Sequence, residues 1–111
     1  MVIIDGNHLS IEEIALVARD RQPVNVSEEA RQRVNEAHQW VDAIVASNQP
    51  VYGINTGFGI FAEQRIPPED SAKLSRNLIL SHAVCTGTPL DEEIVRAAML
   101  VRANTLAKGH S

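Results

Sequence analysis

A single cysteine, Cys85, stands in a chain of 111 residues, so no disulfide can close within it. One free thiol fits a reducing compartment. Aromatic residues are almost as scarce: one tryptophan, one tyrosine and two phenylalanines. Basic residues are outnumbered, 10 lysines and arginines against 14 acidic residues, and the net charge of -4 lacks the basic face that nucleic acid requires. No run approaches the roughly 18 apolar residues of a membrane span. The start has no basic residue before Arg19, and Asp5 comes early, so no secretory leader is read there. These absences make a cytoplasmic protein without nucleic-acid or membrane partners the default expectation. What is present suits folding: 44% of the residues are hydrophobic, and the length allows one domain at most.

Repeats and low-complexity stretches are also missing. Val2-Ile3-Ile4 reads as a short strand, with a turn at Asp5-Gly6-Asn7. Ser10 is placed to cap a helix over about Ile11–Arg19. Glu13 completes a capping box, and Leu9 with Ile14 forms a hydrophobic staple. Pro23–Val26 is extended. Ser27 then caps a second helix, with Glu28 and Glu29 favourably placed against its dipole. Ala30, Val34, Ala37, Val41, Ile44 and Val45 fall within an arc of about 100° on this helix, an amphipathic stripe. Asn48-Gln49-Pro50 ends it. Pro67 and Pro68 open a third helix reaching His82, with Glu69 and Asp70 in its first turn.

A fourth helix should run from Glu92 to about Lys108, following a break at Thr86-Gly87-Thr88-Pro89. Its polar residues Arg96, Arg102, Asn104 and Thr105 project near 0°, 240°, 80° and 180° at about 100° per residue. No side is consistently wet, which is the pattern of a helix buried all round. Three other short helices can hardly enclose it, so cover from further sequence or from partner subunits is expected. The plainer alternative is a mediocre amphipathic helix.

Most constellations that carry chemistry are missing. The glycines at 53, 57 and 59 do not spell a dinucleotide fingerprint, and no phosphate-loop lysine exists. The histidines at 8, 38, 82 and 110 are scattered, and His82 with Cys85 supplies only two ligands, so no metal is expected. Ser81 and His82 are adjacent, about 100° apart on a helix, which argues against a nucleophile–base pair between them. What remains is Val51-Tyr52-Gly53-Ile54-Asn55-Thr56-Gly57-Phe58-Gly59, whose three glycines forbid a stable helix. One reading is a tight connection with Tyr52 packed as an amphipathic anchor. The other is a mobile lid made of Gly53, Asn55, Thr56, Gly57, Phe58 and Gly59, with Tyr52 supplying a phenol.

That string resembles the signature loop of the aromatic amino acid lyases, the family that builds a methylidene-imidazolone cofactor from its own backbone. Arg76-Asn77-Leu78-Ile79-Leu80-Ser81-His82-Ala83 is similar to a second family block, and Arg102-Ala103-Asn104-Thr105-Leu106-Ala107-Lys108-Gly109 to a third. Order and spacing agree, as does the Asp5-Gly6 opening, so the resemblance covers nearly the whole chain. It implies a mainly α fold, the N-terminal helical part of an aspartase/fumarase-like lyase, with short strands near the N-terminus. It implies that Tyr52 is the base that removes the substrate's β-proton. A phenol with an ordinary pKa of about 10 needs help from positive charge or helix N-termini for that task. His82 then contacts the substrate side chain, and Ser81-His82 resembles the selectivity pair of the histidine lyases rather than the Phe-Leu or His-Leu of the phenylalanine and tyrosine enzymes.

The implied reaction is L-histidine to trans-urocanate and ammonia, which belongs to histidine catabolism. The electrophile, 4-methylidene-imidazol-5-one, would form autocatalytically from an Ala-Ser-Gly triplet. This chain has none, because Ala46-Ser47 is followed by Asn48. The resemblance therefore places the cofactor outside residues 1–111, in a longer polypeptide that assembles as homotetramers with shared active sites. It implies that these residues alone are inactive. Cys85, Ser75 and His110 depart from the family's usual glycine, glutamine and tyrosine, and Cys85 is near enough to Ser81-His82 to bear on the substrate. Two other readings stay open: a lyase or aminomutase of the same family acting on tyrosine or phenylalanine, and a small non-catalytic helical interaction module.

Overall fold

In the computed structural model, residues 1–47 and 49–111 are described. The elements run β1 (Val2–Ile4), α1 (Ile11–Ala18), β2 (Val24–Val26), α2 (Glu28–Ala46), a 3-10 turn (Gly59–Phe61), α3 (Pro68–His82) and α4 (Glu92–Leu106). The mainly α expectation holds, with two short strands near the start. Asn48, where the anticipated helix-ending signal begins, lies outside the described residues. The chain divides into two compact units, residues 1–38 with 88–111, and residues 39–87.

In the first unit, β1 and β2 pair in parallel with Val2 opposite Val24 and Ile4 opposite Val26. A parallel pair needs a crossover, and α1 provides it. α1 starts as its sequence dictates. Ser10 Oγ accepts the Glu13 N–H at 3.2 Å, and Glu13 Oε2 accepts the Ser10 N–H at 2.9 Å. These two bonds satisfy donors that the helix start would otherwise leave open. Leu9 and Ile14 pack against a core of Val2, Ile4, Val17 and Leu100, with Val26 beside them. α4 lies against α1, and Arg19 and Arg21 pair with Glu93 and Glu92 at 3.0 and 2.9 Å.

Gly6 is where the first turn meets the end of α4. Its φ is +88°, and a Cβ there would lie 2.8 Å from the Lys108 nitrogen, so only glycine fits. Its N–H donates to Asn104 Oδ1 at 2.9 Å, and the Arg33 guanidinium donates to the carbonyl of Asp5. This accounts for part of the odd pattern of α4. Asn104 and Arg96 are polar, yet they turn toward protein: Arg96 Nε reaches the Val17 carbonyl at 3.4 Å. Thr105 Oγ1 bonds its own helix at the Val101 carbonyl. Leu100 is buried, while Ile94, Val95, Met99 and Val101 stay exposed. Within the first unit α4 is therefore only partly covered. Among the described residues no helix is long and apolar enough to cross a membrane.

Candidate active site

Every residue singled out for chemistry lies in the second unit, residues 39–87. The glycine-rich segment follows α2 and doubles back on itself. The N–H groups of Ile54 and Asn55 donate to the Val51 carbonyl at 3.1 and 3.2 Å, which closes a turn around Tyr52 and Gly53. Gly53 has φ +81°. Further on, Ile66 N–H bonds the Asn55 carbonyl at 2.8 Å and Gly57 N–H bonds the Gln64 carbonyl at 2.9 Å, flanking an antiparallel bridge of Thr56 with Arg65. Residues 57–64 thus form a loop with a hydrogen-bonded neck, and the 3-10 turn sits inside it. Gly57 is buried there beneath Phe61, whose Cβ would stand 2.6 Å from any Cβ added at position 57.

Two polar residues of this segment, Asn55 and Thr56, are each only 1% exposed. Thr56 Oγ1 donates to the Gly57 carbonyl at 3.0 Å. Asn55 Oδ1 accepts the Val51 N–H at 2.7 Å, and its Nδ2 donates to the carbonyls of Gln49 at 2.9 Å and Ile44 at 3.2 Å. The sequence carries a hint of this, since asparagine in a turn bonds nearby backbone. The reach back to α2 was not legible. Tyr52 itself is 63% exposed, and its ring meets Phe58 edge-to-face at 5.9 Å. That arrangement pairs the positive ring edge with a negative face. The phenol stays open to solvent.

Ser81 and His82 end α3 and are exposed. Here the helical-wheel expectation needs correction, because Ser81 Oγ and His82 Nδ1 are 3.1 Å apart. Both side chains fold back onto one acceptor, the Leu78 carbonyl, at 2.9 Å from Ser81 Oγ and 2.8 Å from His82 Nδ1. The wheel angle describes where Cβ atoms point and ignores this convergence. The pair is still not a nucleophile with its base. The serine hydrogen goes to a carbonyl, and Nδ1 must carry hydrogen to face that carbonyl, which can only accept. A neutral His82 ring therefore presents Nε2 as an acceptor. No hydrogen bond joins Tyr52 to His82 among the described residues.

Two apolar grooves of the first unit, of about 430 Å³ bounded by Ile4, Val26, Val34 and Leu106 and of about 610 Å³ along Ile94, Met99 and Arg102, contain neither Tyr52 nor His82. Among the described residues no cluster of three metal-ligating side chains occurs.

The family model described as Aromatic amino acid lyase matches residues 9–111, which contain the Tyr52 loop, Ser81-His82 and α4. The chain belongs to the aromatic amino acid lyase family. It is 51% identical over 110 residues to a histidine ammonia-lyase of Caldanaerobacter subterraneus subsp. tengcongensis, covering 99% of this chain and 22% of that protein. Its structure matches that of the histidine ammonia-lyase from Trypanosoma cruzi with a TM-score of 0.90 and 40% identity, covering 99% of this chain and 21% of the other. A tyrosine aminomutase from Streptomyces globisporus has the same TM-score at 34% identity, with the same coverage. The chain thus spans about a fifth of the length of the relatives it matches. The most similar of these three relatives in sequence is a carbon–nitrogen lyase for histidine.

Proposed function

We propose that these residues form the tyrosine- and histidine-bearing part of an ammonia-lyase that converts L-histidine into trans-urocanate and ammonia. The observation that supports this most is the 51% identity to a histidine ammonia-lyase across the Tyr52 loop and Ser81-His82. Tyr52 is the catalytic base. Its exposed phenol oxygen, once deprotonated, takes the β-proton of the substrate. His82 binds the substrate's ring, with Nε2 accepting the imidazole N–H while the Leu78 carbonyl holds Nδ1. Ser81, bonded to the same carbonyl, lies beside the His82 ring. A hydrogen bond to a ring nitrogen discriminates against carbocyclic substrates far better than apolar packing does. Gly53, Asn55, Thr56, Gly57, Phe58 and Gly59 form the loop that carries and borders Tyr52.

The methylidene-imidazolone cofactor of the family supplies, when present, the electrophile that makes the amino group leave. No Ala-Ser-Gly triplet occurs in this chain, so these residues would contribute side chains beside that group rather than form it. The exposure of Tyr52 and His82 suits two side chains that complete a site with other residues. We place those residues in further sequence of a longer polypeptide and in the other subunits of a cytoplasmic homotetramer. The aminomutase likeness supports a second reading, migration of the amino group in tyrosine or phenylalanine.

The test is Tyr52→Phe in the complete polypeptide. We expect kcat for histidine to fall by at least about 100-fold, with the cofactor's absorbance retained and urocanate as the parent's product. Near-parental turnover would remove Tyr52 from the role, and a β-amino acid product would favour the aminomutase.

A further inference from the structure

Asn55 is nearly unexposed although it sits in a surface loop, and each of its polar groups is engaged. Its backbone N–H donates to the Val51 carbonyl and its own carbonyl accepts from Ile66. Its side-chain oxygen accepts the Val51 N–H at 2.7 Å, and its side-chain nitrogen gives its two hydrogens to Gln49 and Ile44. Ile44 lies in the last turn of α2, and its carbonyl also accepts from the Ser47 N–H at 3.0 Å and the Ser47 hydroxyl at 2.8 Å. One amide therefore ties the end of α2 to both ends of the turn that carries Tyr52. We infer that Asn55 is a positioning residue for Tyr52: its amide anchors the Val51–Asn55 turn to α2 and so fixes where the phenol stands.

This rests on the reading of Tyr52 as the base, and it makes the start of the loop a rigid mount rather than part of a moving lid. The chemistry suits asparagine alone among residues of this size. Aspartate keeps the acceptor for Val51 but loses both donations. Leucine removes the side-chain partner of the Val51 N–H and of the Gln49 carbonyl and unties the turn from Ile44, and each lost bond loosens the turn. Displacement of a base by about 1 Å can cost on the order of 100-fold in rate while substrate binding is untouched. Binding is untouched here because His82 is held separately, by α3.

The experiment compares Asn55→Ala, Asn55→Asp and Tyr52→Phe in the complete polypeptide, measuring kcat, KM for histidine and the cofactor's absorbance. For both Asn55 variants we expect kcat to fall by about 100-fold, with KM within about 3-fold of the parent and the absorbance kept. Parental kcat in Asn55→Ala overturns the inference. So does a joint loss of kcat, KM and absorbance, or failure of both variants to fold, since either assigns Asn55 to the fold alone. If Tyr52→Phe turns over near the parental rate, it is the tyrosine assignment that fails. If Tyr52→Phe is impaired and Asn55→Ala is not, only the positioning role fails.

Discussion

Asp5 and His8 form a small electrostatic device at the first turn. Asp5 Oδ1 accepts the N–H groups of Asn7 and His8 at 2.7 Å each, and Oδ2 lies 2.8 Å from His8 Nδ1. The His8 N–H, the His8 ring and the Asn7 N–H, in that order, hold the Asp5 carboxyl well below the ordinary carboxylate range. The hydrogen bond to Asp5, and then its charge, raise His8 above its ordinary 6.5. A lowered carboxylate contributes stability above its unfolded value of 3.8 and loses it as pH falls through the lowered value. A raised imidazole contributes fully below 6.5 and loses its contribution as pH rises through the raised value. The turn is therefore tightest between these ordinary values. A proton NMR titration should place the His8 midpoint above 6.5, and Asp5→Asn should bring it down. His8→Ala should lower the thermal midpoint slightly near pH 5 and leave it unchanged well above the His8 midpoint. A His8 midpoint at or below 6.5 in the parent chain would show that the pair does not form in solution.

Elements with local signals were readable in advance. Ser10 and Glu13 announced α1, and the paired prolines and the Thr86–Pro89 break bounded α3 and α4. Caps are short-range physics, a side chain meeting backbone three residues away. Ser10→Ala should accordingly cost about 1 kcal/mol in chemical denaturation. Ser10→Asp, which still accepts the Glu13 N–H, should cost much less, and equal losses would mean that the cap contributes nothing. The pairing of β1 with β2 was not readable, because three-residue strands carry no mark of their partner or direction. The 3-10 turn at Gly59–Phe61 was missed for a related reason. It is held by a neck whose two sides lie seven or more residues apart, Gly57 to Gln64 and Asn55 to Ile66.

At the scale of the molecule, the chain leaves much apolar surface uncovered. Met99 is 67% exposed and Ile94 49%, both on a helix whose sequence pattern is that of a buried one. The chain also spans only about a fifth of its relatives' length and contains no cofactor-forming triplet. We expect the 111 residues alone to leave histidine unchanged, with no rise in urocanate absorbance over a long incubation at high protein concentration. Measurable urocanate from this chain by itself would require a different mechanism from the one proposed.

Family membership, helix positions and the identity of the candidate phenol and imidazole were all present in the one-dimensional string, because motifs and caps are local patterns. Three-dimensional packing alone decided that the Ser81 and His82 side chains converge on the Leu78 carbonyl. It also decided that Gly6 lies against Lys108, and that the Asn55 amide is buried against the end of α2. Each of these depends on where a side chain or a distant segment comes to rest, which is set by the balance of packing and hydrogen bonding over the whole unit rather than by neighbours in the chain.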